Sequence, residues 1–330
     1  MPSLVSVLIP AYNHERYVQQ TIRSLMDQSH AAMELIIIDD GSSDATWMRL
    51  QEIRAACEER FARVVFERQE NQGVCVTVNR LLGLMQGEYA YMIASDDLAK
   101  PEAVETLCSF LQKNPEYGLA VGDNELIDAD SRRIYWDRAR RVVPSVREAA
   151  FATFGAYLRD LRREVDFRSA DFGSYATLLN GNYIPNGLLI RRSAFEGWTY
   201  TSEAPVEDWY MALQVAKRFK MMFFDQVLFS YRWHSSNSVK QTRRMSIACR
   251  QTFWFEVNAV LAGADQAAKR AACRYLYWRD TPSTFAVGLF VARCRRRVLR
   301  LLGRVAYVVD RLTGRRPGGP FSPGSTVVPG

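Results

Sequence analysis

Short runs of consecutive apolar residues alternate, over the first hundred residues, with longer segments in which apolar residues recur every three or four positions. The short runs predict strands at 5–10, 35–38, 64–66 and 89–93, and the longer segments predict helices at 15–28, 44–59 and 74–86. Strands that are apolar throughout are covered on both faces. The pattern therefore predicts an α/β fold with a mostly parallel central sheet and flanking helices.

The pattern from about residue 120 to 238 is mixed. It predicts strands at 119–121, 186–190, 221–224 and 227–231 and helices at 148–163 and 206–219, and beyond residue 240 it is helical. We therefore divide the chain into 1–120, 121–238, a C-terminal helical extension over 239–316, and a tail over 317–330. The tail is rich in glycine and proline, and we expect it to be disordered.

The 330 residues carry a net charge of +7, and the excess is confined to the C-terminal extension. Residues 291–316 contain nine arginines and one acid, so the rest of the chain is close to neutral. Apolar residues recur there at intervals of three and four, which indicates a basic amphipathic helix. We predict that residues 285–316 bind to an anionic membrane surface. The alternatives are that this helix docks on the rest of the chain or pairs in a short coiled coil. A nucleic-acid partner is not expected, because the body carries no basic excess.

The six cysteines form no Cys-x-x-Cys pair, and the chain has only three histidines. This usage predicts reduced thiols in the cytoplasm rather than a zinc ribbon or a disulfide framework. The first apolar run is stopped by Pro10, so no signal peptide is expected. No apolar run approaches the ~18 residues that a membrane-spanning helix needs.

Two acidic clusters follow predicted strands, at the positions where ligands bind to parallel sheets. Adjacent carboxylates at Asp96 and Asp97 repel each other, and a divalent cation would offset that cost, although helix capping is the alternative. Asp39 and Asp40 are followed by Gly41, which is typical of a tight turn but also offers two acceptors to a nucleotide.

Taken in order, a set of short motifs resembles the family-2 glycosyltransferases. The motifs are Ile9-Pro10-Ala11-Tyr12-Asn13, Ile38-Asp39-Asp40-Gly41-Ser42-Ser43-Asp44, Asn71-Gln72-Gly73, Asn79, Gly87-Glu88-Tyr89 and Ser95-Asp96-Asp97. The resemblance covers about residues 4–238. It implies a GT-A fold, a nucleotide-diphospho-sugar donor with UDP as the expected nucleotide, a divalent cation (Mn²⁺ or Mg²⁺), and inversion at the anomeric carbon. The chain departs from the family at Ala94, where many members have an acid, and at Thr77-Val78.

The resemblance also implies roles for individual residues. The expected donor-binding residues are Pro10, Ala11, Tyr12, Asn13, Asp39, Asp40, Asn71, Gly73, Asn79, Ser95 and Asp96. Asp97 and His234 are expected to hold the cation, with a contact to the diphosphate and a purely structural role as the alternatives for His234. Asp208 is expected to be the catalytic base, with Glu207 second, although acids at a helix N-terminus also stabilise the helix. Trp209, Asn182 and Asn186 are expected to shape the acceptor site, with core and loop packing as their alternatives.

The sequence thus predicts a glycosyltransferase at the inner face of the membrane, acting on a glycan or a lipid-linked acceptor in polysaccharide biosynthesis. A catalytically silent sugar-nucleotide-binding module of the same fold is one alternative. A sugar-nucleotide nucleotidyltransferase is another, but it would need a Gly-rich phosphate loop with a basic residue after the first strand. Pro10-Ala11-Tyr12-Asn13 has neither feature.

Overall fold

The computed structural model describes residues 2–279 of the chain. Within this range there are ten strands and nine α-helices. The strands are β1 (Val5–Ala11), β2 (Met33–Asp39), β3 (Arg63–Arg68), β4 (Tyr89–Met92), β5 (Leu98–Ala99), β6 (Tyr117–Ile127), β7 (Arg133–Trp136), β8 (Val142–Val143), β9 (Leu188–Arg191) and β10 (Lys220–Arg232). The helices are α1 (Val18–Met26), α2 (Thr46–Arg60), α3 (Val74–Leu84), α4 (Ala103–Lys113), α5 (Phe154–Leu161), α6 (Tyr175–Leu178), α7 (Glu207–Ala216), α8 (Thr242–Ala262) and α9 (Gln266–Arg279).

One mixed sheet forms the centre of the molecule. Its strand order is β3-β2-β1-β4-β9-β6-β10-β5, and β7 pairs with both β6 and β8. β3, β2, β1 and β4 run parallel to one another, as do β6 and β10. β9 lies between these two blocks and is antiparallel to both of its neighbours. The predicted α/β fold with flanking helices is confirmed, and the antiparallel β9 is the feature that the apolar pattern did not indicate.

The central strands are buried on both faces, as the continuous apolar runs predict. Leu35 and Ile37 of β2 pack in one cluster with apolar side chains of α1 and α2. Ile36 and Ile38 point to the other face, where they pack with Leu81 of α3. Because the strands are packed on both faces, the positions of their ends are fixed. The loops that follow the strands are therefore held in defined positions.

The pairing of β1 with its neighbours brings several strand ends to one edge of the sheet. Ala11, the last residue of β1, pairs with Asp39, the last residue of β2. On the other side of β1, Leu8 pairs with Met92 at the end of β4. The polar loops after β1, β2 and β4 therefore emerge side by side.

The helix predicted over 148–163 begins only at Phe154. Residues 146–148 form a turn instead, and Phe151 pairs with Trp136 in an isolated bridge. Thr153 then caps the helix, its hydroxyl accepting from the backbone N–H three residues later at 3.0 Å. Long-range pairing has overridden the local helical preference here.

The strands predicted at 221–224 and 227–231 are one strand, β10, with shifts of pairing between Phe224 and Val227 and again before Phe229. A bulge of this kind bends a strand without ending it. The division proposed at residue 120 falls inside β6. Helix α4 and the short strands β5, β7 and β8 were not predicted.

The start of the C-terminal extension is helical, as predicted. Buried Glu256 of α8 accepts hydrogen bonds from Tyr175 Oη and Gln214 Nε2, both at 2.7 Å, and pairs with Lys217 Nζ at 2.8 Å. These contacts fix α8 against α6 and α7. No helix within residues 2–279 is long and apolar enough to cross a membrane. The predicted amphipathic helix over 285–316 and the tail over 317–330 lie outside the described residues.

Candidate active site

The loop after β1 is bonded to the loop after β2. Asn13 has a left-handed backbone with φ 55°. Its N–H donates to Ser42 Oγ at 2.9 Å, and its Oδ1 accepts from Ser43 N at 2.8 Å. Asn13 is thus used to join the two loops. Tyr12, beside it, is 48% exposed and leaves an aromatic ring open at this edge of the sheet.

Asp40 organises the loop that precedes α3. Its Oδ1 accepts from Gln69 Nε2 and Gln72 N, both at 2.8 Å, and its Oδ2 accepts from Gly73 N at 2.9 Å. Gly73 has φ 84°, in the left-handed region that favours glycine. The carboxylate of Asp40 is therefore a structural acceptor for three donors of this loop, on which Asn71 is exposed.

Asp39 is fully buried but less completely bonded. Its Oδ1 accepts from Ser42 N at 3.1 Å and also from the Ser42 hydroxyl. Its Oδ2 has no hydrogen bond within the described residues, although the half-exposed Arg68 places Nε 3.2 Å away without hydrogen-bond geometry. A buried carboxylate oxygen without a donor can accept one from a ligand.

Three side chains from three separate loops converge beside these residues: His14 after β1, Asp96 after β4 and His234 after β10. Asp96 Oδ2 lies 2.9 Å from His234 Nε2 and 3.7 Å from His14 Nε2. We call these residues the His–Asp–His cluster; one ligand atom from each lies within 4.8 Å of the others. Ser95 Oγ lies 2.7 Å from His14 Nδ1, and Ser236 Oγ lies 2.8 Å from His234 Nδ1. Bracing of the second ring nitrogen is typical of histidines that ligate metals.

The charges in the cluster also suit a cation. Burial lowers the pKa of His14 below its usual value, even though Asp96 opposes this, so the imidazole is neutral near pH 7. Burial alone would raise the pKa of Asp96, but the hydrogen bond with His234 and the nearby imidazoles bring it below its usual value. The two imidazoles and the Asp96 carboxylate form a donor set that first-row divalent metals accept.

Asp97 is not a member of this cluster. Its Oδ1 accepts from Arg232 N at 2.8 Å. Burial and the adjacent charge of Asp96 raise the pKa of Asp97 well above its usual value, which favours the protonated form. Asp96 rather than Asp97 therefore supplies the carboxylate of the His–Asp–His cluster, and the assignment of the cation to Asp97 made from the sequence stays a prediction.

Arg232 holds the loop after β4 in place. Its Nε donates to the backbone oxygen of Asp96 at 2.6 Å, and its Nη2 donates to Gln20 Oε1 at 2.9 Å. The guanidinium also lies 4.8 Å from the centre of the Tyr17 ring. Because Arg232 is fully buried and bonded in this way, it supports the cluster rather than facing the open edge.

The acidic pair predicted to include the base opens helix α7. Asp208 Oδ2 accepts from Asn182 Nδ2 at 3.0 Å, and its Oδ1 accepts from Trp209 N at 2.6 Å. Although Asp208 is exposed, the surrounding protein displaces part of its hydration and raises its pKa. The same loss of hydration, together with the charge of Asp208, raises the pKa of Glu207 to about 8. Raised pKa values at two adjacent carboxyls are typical of a site that handles protons.

Tyr231, the residue before Arg232 at the end of β10, is buried. Burial raises its pKa, and the charges of Asp97 and Asp96 and then of Asp208 add to the rise.

The remaining predicted residues are bonded within the protein. Trp209 is buried, and its Nε1 donates to the Leu178 carbonyl at 2.7 Å, so its ring packs in the core. Asn186 uses its backbone N–H and carbonyl to bind the side chain of Asn124. Asn79 likewise binds the backbone of a distant residue, Tyr200, at 2.8 and 2.9 Å.

His14 is the site residue that sequence reasoning missed. It directly follows Asn13 on the loop after β1, the strand whose carboxyl end lies beside that of β4. A histidine placed there is within reach of any acid after β4. That position relative to predicted strand ends was the one signal that could have revealed it.

Residues 6–196 match the family model for glycosyl transferase family 2. Since the match covers more than half of the chain, the chain belongs to that family. This confirms the family that the sequence motifs indicated.

Two curated relatives match shorter parts of the chain. The Bacillus subtilis (strain 168) protein TuaG, named as a glycosyltransferase of teichuronic acid biosynthesis, is 39% identical over 110 residues, which are 33% of this chain and 42% of TuaG. The chondroitin synthase of Escherichia coli is 34% identical over 131 residues, which are 40% of this chain and 18% of the synthase. The chain thus matches less than half the length of either relative.

Two solved structures share the fold. S. aureus TarS 1–349 in complex with UDP-GlcNAc superposes with a TM-score of 0.56 at 15% identity, over 82% of this chain and 71% of TarS 1–349. The mannosyltransferase PcManGT from Pyrobaculum calidifontis, in complex with GDP-Man and Mn²⁺, superposes with a TM-score of 0.57 at 14% identity, over 94% of this chain and 88% of PcManGT. The predicted GT-A fold is confirmed.

Proposed function

We propose that this chain is an inverting glycosyltransferase that moves a sugar from a nucleoside diphosphate to a hydroxyl of a glycan or lipid-linked acceptor. The observation that carries the proposal is the His–Asp–His cluster at the carboxyl ends of β1, β4 and β10, in a chain of this family whose helix α7 opens on the acidic pair Glu207 and Asp208. A transferase of this kind needs positive charge for the departing diphosphate and a base for the incoming hydroxyl.

The donor pocket is proposed at the edge formed by the loops after β1 and β2. Tyr12 offers an exposed ring on which a base can stack, and Asp39 offers a buried oxygen that lacks a donor. An N–H of a nucleotide base is a suitable donor for that oxygen. We propose Asp39 for this contact rather than Asp40, whose oxygens already accept three bonds. UDP is the nucleotide that we expect, as in the TarS complex with UDP-GlcNAc. GDP, as in the PcManGT complex with GDP-Man, is the comparison.

The cation is proposed to bind to His14 Nε2, Asp96 and His234 Nε2. Once bound, a divalent metal supplies positive charge beside the leaving diphosphate. Ser95 and Ser236 fix the two imidazole rings, and Arg232 fixes the backbone of Asp96. The proposed ligands fit Mn²⁺ better than Mg²⁺, because imidazole nitrogen is a poorer ligand for a hard cation.

Asp208 is proposed as the base. Its carboxylate takes the proton of the acceptor hydroxyl, whose oxygen then forms a bond to the anomeric carbon while the bond from that carbon to the diphosphate oxygen breaks. Attack from the face opposite the diphosphate inverts the anomeric configuration. Asn182 orients the carboxylate through the 3.0 Å hydrogen bond. The raised pKa of Asp208 makes it a stronger proton acceptor than an ordinary aspartate.

The name of TuaG supports an acceptor that belongs to a surface polysaccharide. Attachment to the inner face of an anionic membrane through residues 285–316 stays a prediction from their charge. If it is correct, deletion of residues 285–330 abolishes co-sedimentation with anionic vesicles at low salt. Equal co-sedimentation of the shortened chain would contradict it.

A donor screen tests the proposed function directly. The full chain would be heated with UDP-sugars and GDP-sugars, with Mn²⁺ and with EDTA, because a ligand that binds only the folded state raises the melting temperature. We expect at least one nucleotide sugar to stabilise the protein in Mn²⁺ and not in EDTA. A donor that binds but is never turned over in the presence of candidate acceptors would support the silent binding module instead.

A further inference from the structure

Arg140 is a half-buried cation with no carboxylate partner among residues 2–275. Its guanidinium lies over the rings of Trp136, Tyr157 and Trp233, at 4.7, 4.8 and 5.0 Å from their centres. Its Nε is buried and makes no hydrogen bond. Its backbone is left-handed, with φ 59°, which is uncommon for a residue with a side chain. An unpaired guanidinium in this position has donors to offer to a ligand.

Other partly or fully buried arginines of the described chain differ from Arg140 in this respect. Arg63 pairs with Glu34 at 2.6 Å, and Arg162 pairs with Glu164 at 2.6 Å. Arg191 donates to several backbone carbonyls. Each of these guanidinium groups has protein acceptors, as the cost of burying a charge requires.

A second cation lies over the same Trp233 ring. Lys240 Nζ is 4.4 Å from the ring centre and has no acidic partner within the described residues. Burial, and then the charge of Arg140, lower the pKa of Lys240. Two like charges close enough to repel each other are stabilised when an anion binds between or beside them. Trp233 directly precedes His234, so this pair of cations adjoins the His–Asp–His cluster.

An open groove of about 760 Å³ continues from Lys240 along the start of α8. Its lining contains Arg243 and Arg244 as well as Lys240, together with apolar Ile247, and none of the described lining residues is acidic. Pro205, two residues before Glu207, forms another part of the lining. The groove therefore runs from the N-terminus of α7 along α8, two elements that the proposed nucleotide pocket does not use.

We propose that Arg140 and Lys240 form an anion subsite, extended by Arg243 and Arg244, that binds phosphate or carboxylate groups of the acceptor. This inference rests on the proposed function and adds the chemical class of the acceptor: a polyanionic glycan rather than a neutral one. The acceptor is favoured over the donor because the groove borders α7, which carries Asp208, and does not involve the loops after β1 and β2 that form the proposed nucleotide pocket.

Calorimetry with the full chain tests this subsite with defined probes. The probes are a glycerol phosphate oligomer, a tetrasaccharide with two glucuronates, and the neutral tetramer of N-acetylglucosamine. The variants are Arg140→Gln, Lys240→Gln and the double variant. Arg138→Gln/Arg270→Gln, at two exposed positions, is the control with the same net charge as the double variant.

We expect wild type to bind one or both anionic probes and to bind the neutral tetramer at least tenfold more weakly. Each single substitution is expected to weaken anionic binding about tenfold, since each removes a charged hydrogen-bond donor. The charge control is expected to bind within about twofold of wild type, because neither Arg138 nor Arg270 lines the groove or lies over the Trp233 ring in the described structure. The phosphate and carboxylate arms show which anion the subsite prefers.

UDP titration in Mn²⁺ provides the second readout, and the expected result is the same affinity in all variants. Loss of UDP affinity in Arg140→Gln and Lys240→Gln would assign the cations to the donor diphosphate and overturn the proposal. Equal binding of the neutral tetramer, or equal weakening in the charge control, would overturn it as well. If wild type binds no nucleotide but retains anionic binding that depends on Arg140, the proposed function fails and the anion subsite survives.

Discussion

His234 Nε2 lies 2.9 Å from Asp96 Oδ2, although the two residues are 138 positions apart in the sequence. The contact joins the loop after β4 to the loop after β10, the strands on either side of the β9–β6 pair. His14 reaches the same oxygen from the loop after β1. The cluster can therefore exist only when both blocks of the sheet are assembled, which links cation binding to the complete fold.

Substitution of the two adjacent acids separates the roles that the structure favours for them. Asp96→Asn removes a proposed ligand and is expected to weaken Mn²⁺ binding by about 100-fold or more. Loss of a residue that only supports a ligand already weakens metal binding by about 10- to 100-fold. Asp97→Asn changes a carboxyl that accepts from Arg232 N and is not a member of the cluster, so Mn²⁺ affinity should stay within about threefold. Electron paramagnetic resonance of free Mn²⁺ measures both. Equal losses in the two variants would contradict the assignment.

Ser236 provides a test of the braced imidazole with a neighbouring control. Ser236→Ala removes the partner of His234 Nδ1 and frees the ring to rotate, so we expect Mn²⁺ to bind about tenfold more weakly. Ser235→Ala changes an exposed hydroxyl with no described contact and should leave Mn²⁺ affinity unchanged. If the two variants bind Mn²⁺ alike, Ser236 does not orient a ligand.

Substitutions of Asp39 and Asp40 are expected to have different effects, on UDP binding and on stability respectively. Asp40→Asn places an amide N–H₂ against backbone donors and should lower the free energy of unfolding by about 1–3 kcal/mol. Asp39→Asn should weaken UDP binding about tenfold or more, because it removes the proposed acceptor for the base. Urea unfolding and UDP calorimetry measure the two effects. A reversed result, with UDP binding lost only in Asp40→Asn, would place Asp40 in the pocket.

The hydrogen bond from Asn182 lowers the pKa of Asp208, against the larger effect of burial that raises it. Asn182→Ala should therefore raise this pKa further, because it removes a hydrogen bond that favours the charged carboxylate. A base must be deprotonated to act, so kcat falls as pH drops through its pKa, and this fall should move to higher pH in the variant. Asn180→Ala, nearby in the chain, is the control. A profile that does not move in Asn182→Ala would exclude Asp208 as the titrating group.

The apolar pattern was sufficient for the elements that are buried on both faces. Runs such as Leu35 to Ile38 can only be interior strands, and their order with the intervening helices indicated the α/β sheet. The pattern was not sufficient where long-range pairing decides the structure. Phe151 is drawn into a bridge with Trp136 instead of a helix, and β9 is apolar whether it runs parallel or antiparallel.

The candidate site was also predicted only in part from the sequence. The acids after β2 and β4 were identifiable because they follow buried strands. The orientation of Asp96 and Asp97 was not, because it depends on Arg232, which ends β10 and binds both residues. His14 was missed for a related reason. Its neighbours in space, Asp96 and His234, lie on loops that are distant in the sequence, so the motif around Asn13 does not indicate that they are close.

The central claim is that the chain is an inverting glycosyltransferase with Asp208 as its base. The most direct test measures UDP release and glycosylated product together, in wild type and in Asp208→Asn, with Mn²⁺ and an anionic acceptor. We expect wild type to form both products in equal amounts, with inverted anomeric configuration. Asp208→Asn should bind UDP normally and lose at least about 100-fold in kcat, the lower range of the contribution that a general base makes. Retained configuration in the product, or normal kcat in Asp208→Asn, would contradict the account.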